Sequence, residues 1–251
     1  MENITSRSNP ICVHMKKLGW SKLYRKEYRE FLCDGLKLLH EALESDAEVK
    51  TVITSTQIPF KLPEGVRVFS AEIELIDSLS PLKNAQDLLF TCGFSKAGNL
   101  SINSGVHVLL DCVQDPGNVG TIIRSASAFA IDSVLLTDGC ADIYNPKTIR
   151  ATMGAIFKQP VFTISTEEIS KLKSADIRFI GTSNGADSTE IKNVSLDNSI
   201  IILGNEGQGI SNDLSALCEE MIKIPVSSSC ESLNVAVAAS IIMWEASKCR
   251  S

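Results

Sequence analysis

The chain has 251 residues, 44% of them hydrophobic and 22% charged. That size and mix bury a core without disulfides and exclude a disordered, collagen-like or fibrous protein. The formal net charge of −6 argues by itself against a nucleic-acid partner.

Taken from the N-terminus, the first ten residues, MENITSRSNP, lack the apolar centre of a secretory signal. Charge is unevenly distributed. Residues 1–40 carry eight Lys/Arg against four Asp/Glu, and the remainder carries sixteen against twenty-six. Within 16–29 stand Lys16, Lys17, Lys22, Arg25, Lys26 and Arg29, opposed only by Glu27. This stretch reads as a basic helix, either a solvated face or a surface for a phosphate backbone. Strands are expected at 31–33, 49–54, 66–69 and 88–92, with helices over 35–45 and 71–77. The helix over 35–45 follows from Leu36, Leu39, Ala42 and Leu43 at spacings of three and four. A Ser/Gly/Asn-rich stretch, SKAGNLSINSG, then reads as a linker. It divides the chain into 1–103 and 104–251.

The second part alternates strands and helices. Strands are expected at 106–111, 134–137, 161–164, 178–182, 199–203 and 221–224. Helices are expected at 119–130, 147–157, 167–173, 211–218 and 232–248. That order predicts an α/β domain with a largely parallel sheet, and ligands bound beyond the carboxyl ends of strands. The longest apolar stretches, such as 235–244, are too short to span a bilayer. Cysteines stand at 12, 33, 92, 112, 140, 218, 230 and 249 with no CxxC pair, as reduced thiols of a cytoplasmic protein would. With only three histidines, none beside a cysteine pair, no metal site is expected.

Three strings follow strand ends. In DPGNVGTIIRSASAFA, at 115–130, Pro116 and Gly117 read as a turn. Asn118 falls in the loop and Arg124 near the start of the next helix, the two side chains converging through the turn. In LGNEGQGIS, at 203–211, three glycines surround Glu206. The order is neither a dinucleotide fingerprint nor a phosphate loop, and suggests backbone approaching a flat ligand. In IPVSSSCESLNVAVAAS, at 224–240, a serine loop leads into a helix apolar on nearly every side, buried in the monomer or at a subunit interface.

In this order the strings resemble the three motifs of the SpoU (TrmH-like) RNA ribose methyltransferases. Asn118, Gly120 and Arg124 match the first motif. Gly204, Glu206 and Gly209 match the second. Ile224, Pro225, Ser232, Leu233, Asn234 and Val235 match the third. NPKTIRATMGAIF at 145–157, with Lys147, Arg150 and Met153-Gly154, also resembles the family. The resemblance covers roughly 106–248. More loosely, FLCDGLKLLHEAL at 31–43 and SPLKNAQDLLF at 80–90 resemble the small substrate-binding domain often fused ahead of it, similar to ribosomal proteins that bind kinked RNA. Departures are Asp34 for Glu, Asn84-Ala85 for Thr-Pro, and serines in the loop 227–231 where many relatives have glycine.

The resemblance implies S-adenosylmethionine as methyl donor, a ribose 2′-hydroxyl of RNA as acceptor (ribosomal RNA before other RNAs), a deep trefoil knot, and a homodimer through the C-terminal part. It implicates Thr182, Ser183, Leu203, Gly204, Asn205, Gly209, Ile224, Pro225 and Leu233 in holding the cofactor. Arg124 is implied as the catalytic residue. An arginine almost never gives up its proton, so its role would be to orient the hydroxyl and a neighbouring phosphate. Asn118, Glu206, Ser232 and Asn234 would position Arg124 or the ribose, or Glu206 would brace the loops. Lys147 and Arg150 join the six basic residues of 16–29 as expected RNA contacts. A non-catalytic RNA-binding protein keeping the knotted dimer scaffold is the alternative, with a nucleotide enzyme a more distant third.

Overall fold

A computed structural model describes residues 2–83, 86–95, 100, 102, 104–172, 177–227 and 232–248. Asn84-Ala85, most of the expected linker, most of the serine loop, Cys230 and Cys249 lie outside the described residues. By its contacts the chain forms two compact units. One comprises residues 1–96 together with 142–158, the other 97–141 together with 159–251. The segment 142–158 thus belongs with the first unit rather than the second, unlike the single division expected near residue 103.

The first unit opens with β1 (Glu2–Asn3), a two-residue strand too short for any periodicity to reveal. The basic stretch is two helices, not one: α1 (Pro10–Trp20) and α2 (Lys22–Tyr28). Asn9 caps the first, its side chain accepting from the Ile11 N–H, with proline at the first helical position. Ser21 breaks the run by taking an extended backbone, and its Oγ accepts from the Tyr24 N–H to cap the second helix. Cys12, Met15, Leu18 and Gly19 form the buried face of α1.

Next come β2 (Glu30–Asp34), α3 (Leu36–Glu44), β3 (Val49–Thr54), β4 (Arg67–Ser70), α4 (Ile73–Leu79) and β5 (Leu88–Gly93). The mixed sheet runs β1-β4-β3-β5-β2. Its core gathers Met15, Leu18, Leu32, Ile53, Ile76 and Leu89. Residues 142–158 complete this unit. Tyr144 stacks on Phe94 with centroids 3.9 Å apart and lies 4.7 Å from Phe31. Lys158 Nζ lies 2.7 Å from Glu41 Oε2.

In the second unit the elements are β6 (Val106–Leu110), α5 (Pro116–Ala128) and β7 (Ser133–Leu136). The intervening helix α6 (Pro146–Thr152) sits in the first unit. It ends earlier than the periodicity suggests, because Met153 and Gly154 both take positive φ, 49° and 95°, before a short 3₁₀ turn. There follow β8 (Val161–Thr163), α7 (Thr166–Leu172), β9 (Arg178–Thr182), the two-residue β10 (Thr189–Glu190), β11 (Ser199–Leu203), α8 (Asn212–Ser215), β12 (Glu220–Lys223) and α9 (Val235–Ser247).

The seven strands are parallel throughout, in the order β10-β12-β9-β11-β6-β7-β8. The alternation predicts a largely parallel sheet, and every strand pair of this sheet is parallel. Strands β6 and β11 are buried along their whole length, as a covered parallel sheet requires. The chain runs outward from β6 through β7 to β8, then returns to the other side of β6. Such a reversal opens a crevice at the carboxyl ends of the strands.

Three faces account for the unbroken apolarity of α9. Ala236, Ala239, Met243 and Ala246 are buried, and Ser240 Oγ meets Ser125 Oγ of α5 at 2.8 Å. Val235, Ala238 and Ile242 border a cleft. Val237 and Trp244, at 48% and 50% exposure, form an outward apolar stripe with Ile241 between them.

Candidate active site

A cleft of about 580 Å³ lies at the carboxyl ends of β9, β11 and β12. Of the nine residues expected to hold a cofactor, eight line it: Thr182, Ser183, Leu203, Gly204, Asn205, Gly209, Ile224 and Leu233. Pro225 does not; it is exposed on the strand-to-loop turn. Asn184, Gln208, Ile210, Val226 and Ile242 also line the cleft and were not anticipated. For Ile242 the signal was available, since it stands seven residues after Val235 on the same helical face.

Side chains shape the glycine-rich wall. Asn205 is central: its Nδ2 donates to the Cys112 carbonyl at 2.8 Å, and its Oδ1 accepts from the Gly207 and Gln208 N–H groups. Paired backbone bonds between Asn205 and Gly209, 3.0 and 2.9 Å, close the loop. The buried carboxylate of Asp111, at the end of β6, accepts from the Ser211 N–H at 2.7 Å. Gly204 permits the fold-back. A Cβ there would stand 2.1 Å from the Gly209 carbonyl carbon. The close approach that demands glycine is therefore one loop limb against the other.

The three strings meet at the cleft mouth. Asn234 Nδ2 donates to Asn118 Oδ1 at 3.1 Å, and Asn118 Nδ2 donates to Glu206 Oε1 at 2.6 Å. Asn234 Oδ1 meanwhile caps α9, accepting from Ala236 and Val237. This relay ends on a carboxylate, which strengthens its last hydrogen bond. Glu206 thus accepts from a side chain, and the Asn118 amide is fixed at both ends. Ser232 lines the cleft nearby.

Two placements differ from expectation. Asn118 is not in a loop but in the first turn of α5, where Asp115 caps the helix by accepting from the Asn118 N–H at 3.0 Å. Arg124 is not near the helix start but past its middle, exposed and not among the residues lining the cleft. Six residues on one helix separate the two side chains by about 120° around the axis, so they do not converge.

The basic residues divide as well. Lys16, Lys17, Lys22, Lys26, Arg29 and Lys147 are exposed. Arg25 is 3% exposed and cannot serve a phosphate. Its guanidinium donates to the Leu18 carbonyl at 2.6 Å and to Asp142 Oδ2 at 2.6 and 3.1 Å. Arg150 is half-buried and engaged by Asp34, with a second bond to the Lys83 carbonyl at 3.1 Å.

Residues 105–244 match the SpoU rRNA Methylase family. A similar protein is the Bacillus subtilis (strain 168) 23S rRNA (guanosine(2553)-2′-O)-methyltransferase RlmP, 34% identical over 97% of this chain and 98% of its own. Among solved structures, the AdoMet-bound rRNA methyltransferase from Sinorhizobium meliloti superposes with a TM-score of 0.89 at 28% identity, covering 98% of this chain and 97% of that one. The SpoU methyltransferase AviRb from Streptomyces viridochromogenes, in complex with AdoMet, gives 0.83 at 25% identity over 96% and 98%. The extent of the family match and the near full-length relative together place this chain in the SpoU rRNA methylase family.

Proposed function

We propose that the chain transfers the methyl group of S-adenosylmethionine to a ribose 2′-hydroxyl of RNA, with ribosomal RNA as substrate. The observation that carries the reading is the Asn234–Asn118–Glu206 relay, which joins all three strings at the mouth of one cleft. The cleft suits the cofactor chemically. Its wall combines folded-back glycine backbone with apolar side chains from Leu203, Ile210, Leu233 and Ile242, a surface for a flat heterocycle. When bound, S-adenosylmethionine supplies a methyl group already activated on a sulfonium.

What the chain adds is position. Asn205 and Asp111 hold the wall. The relay fixes the mouth, with Glu206 bracing Asn118 rather than taking a proton. Arg124, on the helix that carries Asn118 but outside the cleft, meets the RNA and keeps its charge while orienting the hydroxyl and a phosphate. In this reading the family's trefoil knot is formed around the cleft that residues of 203–210 and 232–235 line. The first unit captures RNA through its exposed basic residues. The outward stripe of α9 pairs two copies into a homodimer, and the enzyme works in the cytoplasm.

Transfer of tritium from labelled S-adenosylmethionine to ribosomal RNA tests the activity. Arg124→Ala should abolish labelling while cofactor affinity persists, and Asn118→Ala should lower it at least about tenfold, the effect of misplacing a reacting group. Wild-type labelling by both variants would overturn the assignment. No labelling by the unaltered chain, with RNA still bound, would leave the non-catalytic alternative.

A further inference from the structure

In the first unit, four residues of α1 recur at helical spacing away from its buried face: Val13, Lys16, Lys17 and Trp20. They border a cleft of about 470 Å³, with Arg7 and Leu79 on its other sides. Trp20 ends the helix with 54% of its surface exposed, and Lys16 Nζ lies 5.8 Å from its ring. Among the described residues no carboxylate borders the cleft, which Arg7, Lys16 and Lys17 line together with the open indole. Large aromatics usually bury most of their area. One kept half in water among cations fits a ligand with both a flat π-face and a dense negative charge, which is the chemistry of an unpaired nucleotide.

We propose that Trp20 is a stacking platform for an unpaired base of the RNA substrate, with Arg7, Lys16 and Lys17 on the flanking phosphates. The inference rests on RNA being the substrate, but not on methyl transfer. A double helix hides its base faces, so the platform selects single-stranded segments such as loops and bulges.

The chain has two tryptophans, so Trp244→Phe leaves Trp20 as the only indole reporter. The probe is an oligoadenylate of about 12 nucleotides, within the span such sites cover. Its binding should quench Trp20 fluorescence. Heparin, a polyanion without bases, should not, and a duplex of equal length should quench less. In the otherwise unaltered chain, Trp20→Ala should weaken oligoadenylate binding at least about fivefold, the lower end for loss of one base–aromatic stack. Trp20→Phe should restore most of that loss. The log–log salt slope should persist in Trp20→Ala, but fall by roughly 0.7 per cation in Arg7→Ala and Lys16→Ala.

Equal quenching by heparin, or oligoadenylate binding indifferent to Trp20→Ala, overturns the platform. The labelling assay separates it from the activity. RNA-specific quenching without methyl transfer would sink the proposed reaction and keep the platform. Methyl transfer whose KM for RNA ignores Trp20→Ala would do the reverse.

Discussion

Adding a single methyl group at Gly204 should cost most of the cofactor affinity. The Cβ of Gly204→Ala would stand 2.1 Å from the Gly209 carbonyl carbon and 2.3 Å from both its oxygen and the Ile210 nitrogen. All three are backbone atoms, so no side-chain rotation relieves the clash. Ordinary contact begins near 3.4 Å, so one limb of the loop must retreat by roughly 1.3 Å to recover van der Waals distance. That movement breaks the two Asn205–Gly209 hydrogen bonds. At about 0.5–1.5 kcal/mol net for each, the loop loses about 2 kcal/mol. The corresponding loss in affinity for S-adenosylmethionine is roughly 30-fold at 1.4 kcal/mol per decade. Isothermal titration calorimetry measures it, with circular dichroism to check folding. Two neighbours serve as internal controls. At Gly207 an added Cβ meets only Asn205 Oδ1, at 3.5 Å, so Gly207→Ala should bind as the wild type does. Gly209 has open space but φ of +71°, so Gly209→Ala should suffer a lesser, strain-limited loss of about 1 kcal/mol. Wild-type affinity in Gly204→Ala, or equal losses at 204 and 207, would refute the reasoning.

Other perturbations test the rest of the molecule. Arg25→Ala strands Asp142 and should destabilise the first unit by about 3 kcal/mol in urea unfolding, with the Arg25→Ala/Asp142→Ala double variant costing less than the sum. A salt slope of RNA binding that changed with Arg25 would show it exposed after all. Glu30 sets an acid sensitivity. Burial pushes its carboxyl up, but His14, 3.4 Å away, and Lys50, 3.5 Å away, hold it, on balance, below the ordinary 4.5. A depressed carboxyl stabilises above the unfolded value, so that contribution should disappear as pH falls below about 4.5 and through the folded value. Unfolding midpoints between neutral pH and acid should therefore fall less steeply in Glu30→Gln; identical slopes would count against the role. For the α9 stripe, Trp244→Glu should yield a monomer in light scattering, and an unchanged mass would reject that face as the dimer contact.

Most of the parallel sheet was legible because its strands are continuous apolar runs between turn signals. The residues that line the cleft were legible through the resemblance of the three strings, since a glycine-rich stretch after a buried strand serves a plain loop equally well. Asn118 was misplaced because Asp-Pro-Gly-Asn spells a turn and a helix start in the same letters. Asp115 as cap and Pro116 at the first helical position resolve it. Arg25 was misread for another reason. Residue type reveals charge but not burial, and its partner Asp142 lies 117 positions away. The break at Ser21 is signalled by a helix-capping residue amid basic ones, a local cue that the run of charge does not carry.

The placement of 142–158 also bears on the timing of synthesis. Asp142 leaves the ribosome 117 residues after the arginine it neutralises, a delay of about 6 to 23 seconds at roughly 5–20 residues per second. Throughout that interval the nascent first unit lacks Tyr144 beside Phe31 and Phe94, the carboxylate for Arg25 and the lysine for Glu41. An N-terminal half released alone would lack these partners for good. The order of completion is inverted: the unit translated first becomes whole only after the first two strands of its successor have been made.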